Sequence, residues 1–392
     1  MPARPAAGTE GLRRANTGTV LRSLRRDGPA TRAELAGRTG LAKATVGVIV
    51  GDLEAAGAVA EEEGARPGSR GRPGRPVALS GQRFVALGLE INVDYVAAVL
   101  LDLAGHVEVS EHRAATDPAS GPAGALALAR EVCATHLGAG RTLVGTSVAV
   151  PALVRGDNHT VAWAPNLGVD GPGLAEDLAA ELGGPVLVSN DANCAAYAEA
   201  HHGAAVGANH ALYLTGTVGI GAGIVLDGAV LRGGAGFAGE VGHMPIGDSA
   251  ARCGCGRRGC WEASIGLHAM LEAVGMPELD TPVSTAEAVA ARAADDPDVR
   301  AGLARIGHDV GLGIAMLSSV LDPEVVVLGG YFASLGDLVL DPARRTLDER
   351  LASDVQVRPE LRLSPLGIRA AALGAAEQAF GPVFSGEVDL TP

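Results

Sequence analysis

Beyond residue 84 the chain breaks into apolar runs of two kinds. Short unbroken runs rich in Val, Leu and Ile, bounded by Gly, Pro, Asn or Asp, read as strands: FVALGLEI and YVAAVLLD around a turn, LVGTSVAVPALV, GPVLVSN and DPEVVVLGG. HALYLTGTVGIGAGIVLDGAVL reads as a second hairpin with a glycine-rich turn, and GPVLVSN runs straight into a helix at DANCAAYAEA. Strands alternating with helices predict an α/β body. Two segments, 84–196 and 197–367, each open with a glycine-bearing hairpin, so the pattern predicts a duplicated architecture with a cleft between two lobes. A C-terminal helix over residues 368–392 is expected to pack back on the first lobe.

Residues 1–80 have a different rhythm. In NTGTVLRSLRRDG, Val20, Leu21 and Leu24 recur at helical spacing, and Gly28–Pro29 ends the helix. TRAELAGRTG starts with Thr31 and Glu34 at capping-box spacing and stops at Gly40. After a turn at Thr39–Gly40–Leu41, AKATVGVIVGDLEAAG puts Val46, Ile49, Val50 and Leu53 on one face and Lys43, Ala44, Thr45 and Gly47 on the other. Ala42 stands where a Ser or Thr would start this helix better. Two short strands then flank a loop with Arg66, Arg70, Arg72 and Arg75 among glycines and prolines.

Three helices and a two-stranded wing predict a winged helix-turn-helix. Its third helix enters the major groove by its N-terminal end, where short side chains let the backbone approach base edges. Lys43 and Thr45 are the expected readers, with Thr31 and Arg32 beside them at the start of the second helix. Arg70, Arg72 and Arg75 suit phosphates or a narrow minor groove. One short reading helix makes few base contacts, so a homodimer or homotetramer on an inverted repeat of double-stranded operator DNA is expected. The duller alternatives are a basic protein-interaction domain and, for GRPGRP, a plain linker.

Charge divides the chain in the same place. Residues 1–80 carry 13 Lys and Arg against 8 Asp and Glu, while the rest carries 18 against 37, within a net charge of −14. A basic head on an acidic body confines nucleic-acid binding to the head. Hydrophobic residues make up 47% of the 392 and charged residues 19%, the balance of a folded protein with more than one core. No run approaches the ~18 apolar residues of a membrane span, and MPARPAAGTEGLRR lacks the apolar stretch of a secretion signal. A cytoplasmic protein without a membrane partner is expected.

Three of the five cysteines crowd into CGCGRRGCWE, with His243 ten residues upstream of Cys253 in GEVGHMPIG. An odd, clustered set does not make a disulfide framework. His243, Cys253, Cys255 and Cys260 form a Cys3His set suited to one tetrahedral structural zinc ion, Zn2+, and Gly254, Gly256 and Gly259 let the sulfurs converge. An iron–sulfur cluster, which usually takes four cysteines, is a weaker reading, and a metal-free thiol cluster is the bland one. Cys133 and Cys194 read as ordinary buried thiols.

The head, APNLG at 164–168, SNDAN at 189–193, GEVGH at 239–243, CGCGRRGCWE and DPEVVVLGG at 322–330 together resemble the ROK family of repressors, open reading frames and kinases, along nearly the whole chain. The resemblance implies a two-lobed actin- or hexokinase-like body. It also implies that a chain with this head is a sugar-responsive repressor of the xylose-repressor type, whereas members without it are mostly sugar kinases. By the same resemblance Asn166, Asn190, Asp191, Glu240, His243 and Glu262 contact a monosaccharide effector, with Asp191 in the position of the kinases' general base. Asn190–Asp191 also has the pattern of a helix cap, and Glu240 that of a surface residue on a glycine loop. The TGTVGIGAG turn at 215–223 resembles the family's phosphate loop, but the first hairpin turn reads Glu90-Ile91-Asn92-Val93-Asp94 where the kinases have Asp-x-Gly-Gly-Thr. A valine and an added carboxylate at that turn disfavour ATP. A sensor without catalysis is therefore expected, with an ATP-dependent sugar kinase carrying a DNA-binding head as the alternative.

Overall fold

Continuous apolar runs become strands covered on both faces: in β3 (Phe84–Ile91) every residue is buried. The computed structural model describes residues 8–62, 74–115, 120–165, 167–217, 219–351 and 358–391. β3 pairs antiparallel with β4 (Tyr95–Asp102), which pairs with β5 (Val107–Ala114); on its other side β3 runs parallel to β6 (Thr142–Val150), and β6 to β9 (Val186–Asn190). The second sheet repeats the plan. β10 (His210–Gly216), β11 (Ile220–Leu226) and β12 (Ala229–Val230) are antiparallel, and β13 (Val325–Gly330) and β14 (Glu360–Leu363) continue it in parallel. The strand orders β5-β4-β3-β6-β9 and β12-β11-β10-β13-β14 are the same topology written twice. A small hairpin, β7 (Leu153–Val154) with β8 (Val161–Trp163), branches from the first lobe.

Two helices form the middle layer. α6 (Asp191–His202) lies on β10 and β11, α13 (Ala370–Ala379) lies on β3, β4 and β6, and the two helices pack on each other. Their closeness depends on missing side chains. A Cβ at Gly374 of α13 would collide with the carbonyl of Cys194 in α6, and one at Gly88 of β3 with that of Ala372. The outer faces are closed by α4 (Gly121–His136) and α5 (Gly173–Leu182) on the first lobe, and on the second by α7 (Glu262–Ile265), α8 (Leu267–Val274), α9 (Pro282–Ala293), α10 (Pro297–Leu321), α11 (Tyr331–Leu335) and α12 (Asp337–Arg350). No described helix is long and apolar enough to cross a membrane.

The head is α1 (Thr9–Asp27), α2 (Arg32–Thr39), α3 (Lys43–Ala56) and a wing of β1 (Val59–Glu61) antiparallel to β2 (Val77–Leu79). The Thr31–Glu34 capping box is formed, and Gly40 takes the left-handed conformation that the turn before α3 requires. α1 starts earlier than its local apolar spacing indicates, because its first turns are held by distant parts of the chain. Arg13 donates to Asp52 of α3 (3.2 Å) and to Thr391 near the C-terminus (2.8 Å), and Gly18 lies so close to α14 (Gly381–Ser385) that a Cβ would strike the Phe384 carbonyl. The head's core residues Val20, Leu21 and Leu24 belong to one apolar cluster with Leu373, Phe380 and Val383, so head and body share a core.

A buried charge locks this junction. Glu377 of α13, 2% exposed at its side chain, accepts from Arg25 Nε of α1 at 3.0 Å and from Arg25 Nη2, and its Oε2 lies 3.0 Å from His202 Nε2 at the end of α6. Burial pushes the Glu377 carboxyl up, but the His202 hydrogen bond and the Arg25 charge outweigh it and leave it at about 2. A carboxyl lowered on folding stabilises the fold above its unfolded value and loses that contribution as pH falls through its folded one. Removing one partner of a buried pair typically costs about 3–5 kcal/mol. Glu377→Ala is therefore expected to lower unfolding stability by that amount near pH 7. The deficit against wild type should narrow as pH falls from 4.5 toward about 2, read from urea unfolding at several pH values.

Candidate functional site

The cleft between the lobes is built where strands end and helices begin. β9 delivers Asn190 and Asp191 to the first turn of α6. Asn190 Oδ1 accepts the Asn193 amide at 3.0 Å, while its Nδ2 donates to Ala152 O and Asp191 Oδ1, both at 3.2 Å. Its amide is thus committed to capping α6 and orienting Asp191. Asp191 Oδ1 also accepts the Ala192 amide at 2.8 Å. Burial raises the Asp191 carboxyl to about 6, the Ala192 amide opposing the rise and the charge of Glu240 adding to it. Asn166 lies outside the described residues.

Glu240 precedes the 3-10 turn Val241–His243, and His243 ends it. The turn packs on β11 because Gly239, at φ 102°, has no Cβ to strike the Ala222 carbonyl. Glu240 opens to solvent on one side; desolvation on the other raises its carboxyl, which senses both the His243 imidazole and Glu262. Asp191, Glu240, His243 and Glu262 therefore share one electrostatic neighbourhood.

The cysteine loop holds that neighbourhood together. The ligand atoms of His243, Cys253, Cys255 and Cys260 all lie within 4.8 Å of one another. Cys255 Sγ is 3.7 Å from Cys260 Sγ, and Cys253 Sγ is 3.9 Å from His243 Nδ1. Tetrahedral coordination with bonds of about 2.3 Å separates sulfurs by about 3.8 Å, and a disulfide would draw them to about 2 Å. The spacing fits four ligands around one metal ion, with Nδ1 as the imidazole's ligand atom. The Arg257 backbone and guanidinium lower the Cys255 thiol, which favours its thiolate. Next along the chain, Trp261 is buried and donates to Asp309 O of α10 at 3.0 Å. Glu262 accepts from the Ile220 amide of β11 at 3.0 Å, and its other oxygen lies 3.3 Å from Cys253 Sγ. Its two oxygens join the cysteine loop to the glycine-rich turn.

The first hairpin turn differs from a phosphate cradle in its hydrogen bonding as well as its composition. Asn92 Oδ1 accepts the Val93 amide at 2.8 Å and approaches the Asp94 amide at 3.5 Å, so the turn engages the donors that would face a phosphate. In the second turn the Ile220 amide belongs to Glu262 and the Thr217 amide to Gly219 O.

On the head, Lys43 is the first residue of α3 and exposed, with Thr45 half-buried beside it. Val48, which the apolar pattern does not separate from the core positions, is 63% exposed one turn beyond Ala44. Thr31 is engaged in its capping box. Arg32 grips both oxygens of Glu54 at 2.8 Å and Glu61 at 3.0 Å, which fixes the wing to α3. Arg75 is exposed, with one bond of 3.4 Å to Glu61; Arg66, Arg70 and Arg72 lie outside the described residues. Sequence reasoning missed the Arg25–Glu377–His202 junction, whose members are 352 and 175 positions apart.

Comparison with known proteins bears on the fold and the family. The ROK family profile matches residues 86–380, and a winged helix-turn-helix DNA-binding profile matches residues 13–60. The xylose repressor of Bacillus subtilis (strain 168) is 28% identical over 368 residues, 93% of this chain and 94% of its own. A glucokinase of Streptomyces coelicolor is 31% identical over 317 residues, 76% of this chain and 98% of its own. Among solved structures, a ROK family transcriptional regulator, a homolog of the E. coli MLC protein, superposes with a TM-score of 0.79 at 26% identity over 96% of this chain and 97% of that one. The ROK family glucokinase from Streptomyces griseus, in complex with glucose and AMPPNP, superposes with a TM-score of 0.64 at 26% identity over 76% of this chain and 99% of its own. With one profile spanning residues 86–380 and another covering the winged head, the chain belongs to the ROK family.

Proposed function

We propose that this protein is a sugar-responsive transcriptional repressor, which holds operator DNA through its winged head and releases it when a monosaccharide occupies the cleft. One observation carries the reading: α6 begins at Asp191 in the cleft and ends at His202, which shares the Glu377 carboxylate with Arg25 of the head. Twelve helical residues make a rod of about 18 Å. A ligand that moves its first turn acts on the residue that clamps the head, and so binds the two states with different affinity. The likenesses to a xylose repressor and to a ROK transcriptional regulator, each over nearly the whole chain, support the same reading. In it Asp191, Glu240, His243 and Glu262 receive sugar hydroxyls together with Asn166, and Asn190 positions Asp191. The sugar kinase reading draws on Asp191 and on the 31% identity to a glucokinase. It is disfavoured by the Asn92 turn, whose amides are internally bonded.

Three thiolates and an imidazole are a closed ligand set for structural zinc, one ion per chain. Held by Nδ1, His243 keeps Nε2 as its remaining polar atom, a donor toward a hydroxyl. Cys255→Ser is expected to lose both the zinc and the sugar response. Elemental analysis finding native protein metal-free, with full sugar affinity, would overturn this.

A dimer or tetramer on an inverted repeat is expected, since two heads double the base contacts. Lys43→Ala should weaken operator binding by about 1–3 kcal/mol where the lysine reaches a base edge, or evenly across sequences with a shallower salt dependence where it meets phosphate. Footprints of the variant that match wild type in strength and sequence preference would remove this helix end from readout.

Asp191→Asn separates sensor from kinase. The variant should bind sugar poorly and resist release from DNA, while its sugar-free operator affinity matches wild type. Wild-type protein given sugar and ATP should form no sugar phosphate. Steady turnover abolished by Asp191→Asn would replace the sensor with the enzyme.

A further inference from the structure

α3 buries Val46, Ile49, Val50 and Leu53 and turns its other side to solvent. Lys43, Ala44, Val48, Gly51 and Ala55 are exposed there, with Gly47 half-buried among them. Lys43 is the one exposed charge of this helix, since Asp52 and Glu54 are engaged by Arg13 and Arg32. α1, by contrast, exposes Glu10, Arg14, Arg22 and Arg26. Val48 is 63% exposed, which leaves an apolar β-branched group in water at a position where a helix gains nothing from it. A Cβ at Gly47 or Gly51 would meet nothing within 4 Å. No packing among the described residues calls for these two glycines, although glycine is less favourable than alanine inside a helix.

Charge and fold name what approaches this face. Residues 1–80 carry 13 Lys and Arg against 8 Asp and Glu, and residues 13–60 match a winged helix-turn-helix DNA-binding profile, which makes a duplex the complementary partner. Val48 lies five residues beyond Lys43, about 7.5 Å along the axis, within a major groove about 12 Å wide. With Ala44, Gly47 and Gly51 as its neighbours on the face, no longer side chain beside it holds Val48 off the base edges.

The side chain selects the base. An isopropyl group neither donates nor accepts a hydrogen bond. Against guanine it would cover the O6 and N7 acceptors, against adenine N7 and the N6 amino group, and against cytosine the N4 amino group, each stripped of water without a partner. Thymine alone presents an apolar group, its C5-methyl, in the major groove. We propose that Val48 packs on the C5-methyl of a thymine in the operator half-site, a specificity-determining contact that Gly47 admits by its lack of a side chain. The proposal rests on the repressor reading and adds the base chemistry that its reading helix selects.

The test uses the full-length protein and the duplex it binds most tightly from a random-sequence pool. That duplex is remade with deoxyuridine, which lacks only the C5-methyl, at one thymine at a time, and affinities are read by fluorescence anisotropy. For wild type, demethylation at one thymine of a half-site should cost about fourfold in affinity, the burial of one methyl at about 0.8 kcal/mol. Val48→Ala should bind the thymine duplex more weakly and lose the response to deoxyuridine at that same position, while keeping it elsewhere. Replacing that thymine with cytosine should weaken wild-type binding, and 5-methylcytosine should recover part of the loss. Gly47→Gln should bind at least tenfold more weakly, yet unfold at a temperature no lower than wild type, because glutamine is the better helix former. A duplex in which no thymine methyl matters, a methyl response unchanged in Val48→Ala, or wild-type affinity in Gly47→Gln overturns the proposal. Sequence-selective binding without the methyl response does so while leaving the repressor reading in place. A pool that yields no preferred duplex overturns both.

Discussion

The Glu377 carboxylate is the joint on which the arrangement of head and body depends. A charge this deeply buried is tolerated only beside opposite charge and hydrogen-bond donors, and it finds them on two other elements, Arg25 of α1 and His202 of α6. Three helices from the two ends and the middle of the chain are thereby held at one point. The apolar cluster that runs from Val20 and Leu21 through Phe380 and Val383 surrounds that point and excludes water from it. Because α13 rests on the first sheet and α6 on the second, a shear between the lobes is a shear between these helices. The absence of a side chain at Gly374 sets how closely they pass.

At the other end of α6 the constraint is the cysteine loop. The sulfurs and the His243 imidazole converge because the loop turns tightly, with Gly256 and Gly259 at positive φ, and because Trp261 anchors its far side in the second core. That convergence sets where Glu240 and Glu262 stand relative to Asp191. Glu262 then passes the constraint to the glycine-rich turn through the Ile220 amide. The loop thus orients polar groups of the cleft without being part of either sheet.

The hairpin turn at Asn92 is bonded within itself. Its side-chain oxygen takes over amides that a glycine pair would leave free. The neighbouring Glu90 stands in the same wall as Asp94 and Asp191, its Oε1 taken by Tyr95 and Asn92. The volume between the lobes is kept.

Much of this protein is set by local chemistry and so is readable along the chain. Apolar run length distinguishes β3 and β13 from helices because strands buried on both faces need no alternation. The Thr31–Glu34 box and Gly40 mark the second helix and the turn into α3 because caps and left-handed turns are satisfied within four residues. The Cys3His set is legible for the same reason, three of its members lying within eight positions. Other features are decided only when distant segments meet. The early start of α1, the pairing of Arg32 with Glu54 and the burial of Glu377 all depend on partners or surroundings that no local pattern shows. An isolated arginine or glutamate looks the same in sequence whether it faces water or a buried opposite charge. Tertiary packing fixes the dielectric around it and the distance to its partner, and those two quantities decide its role.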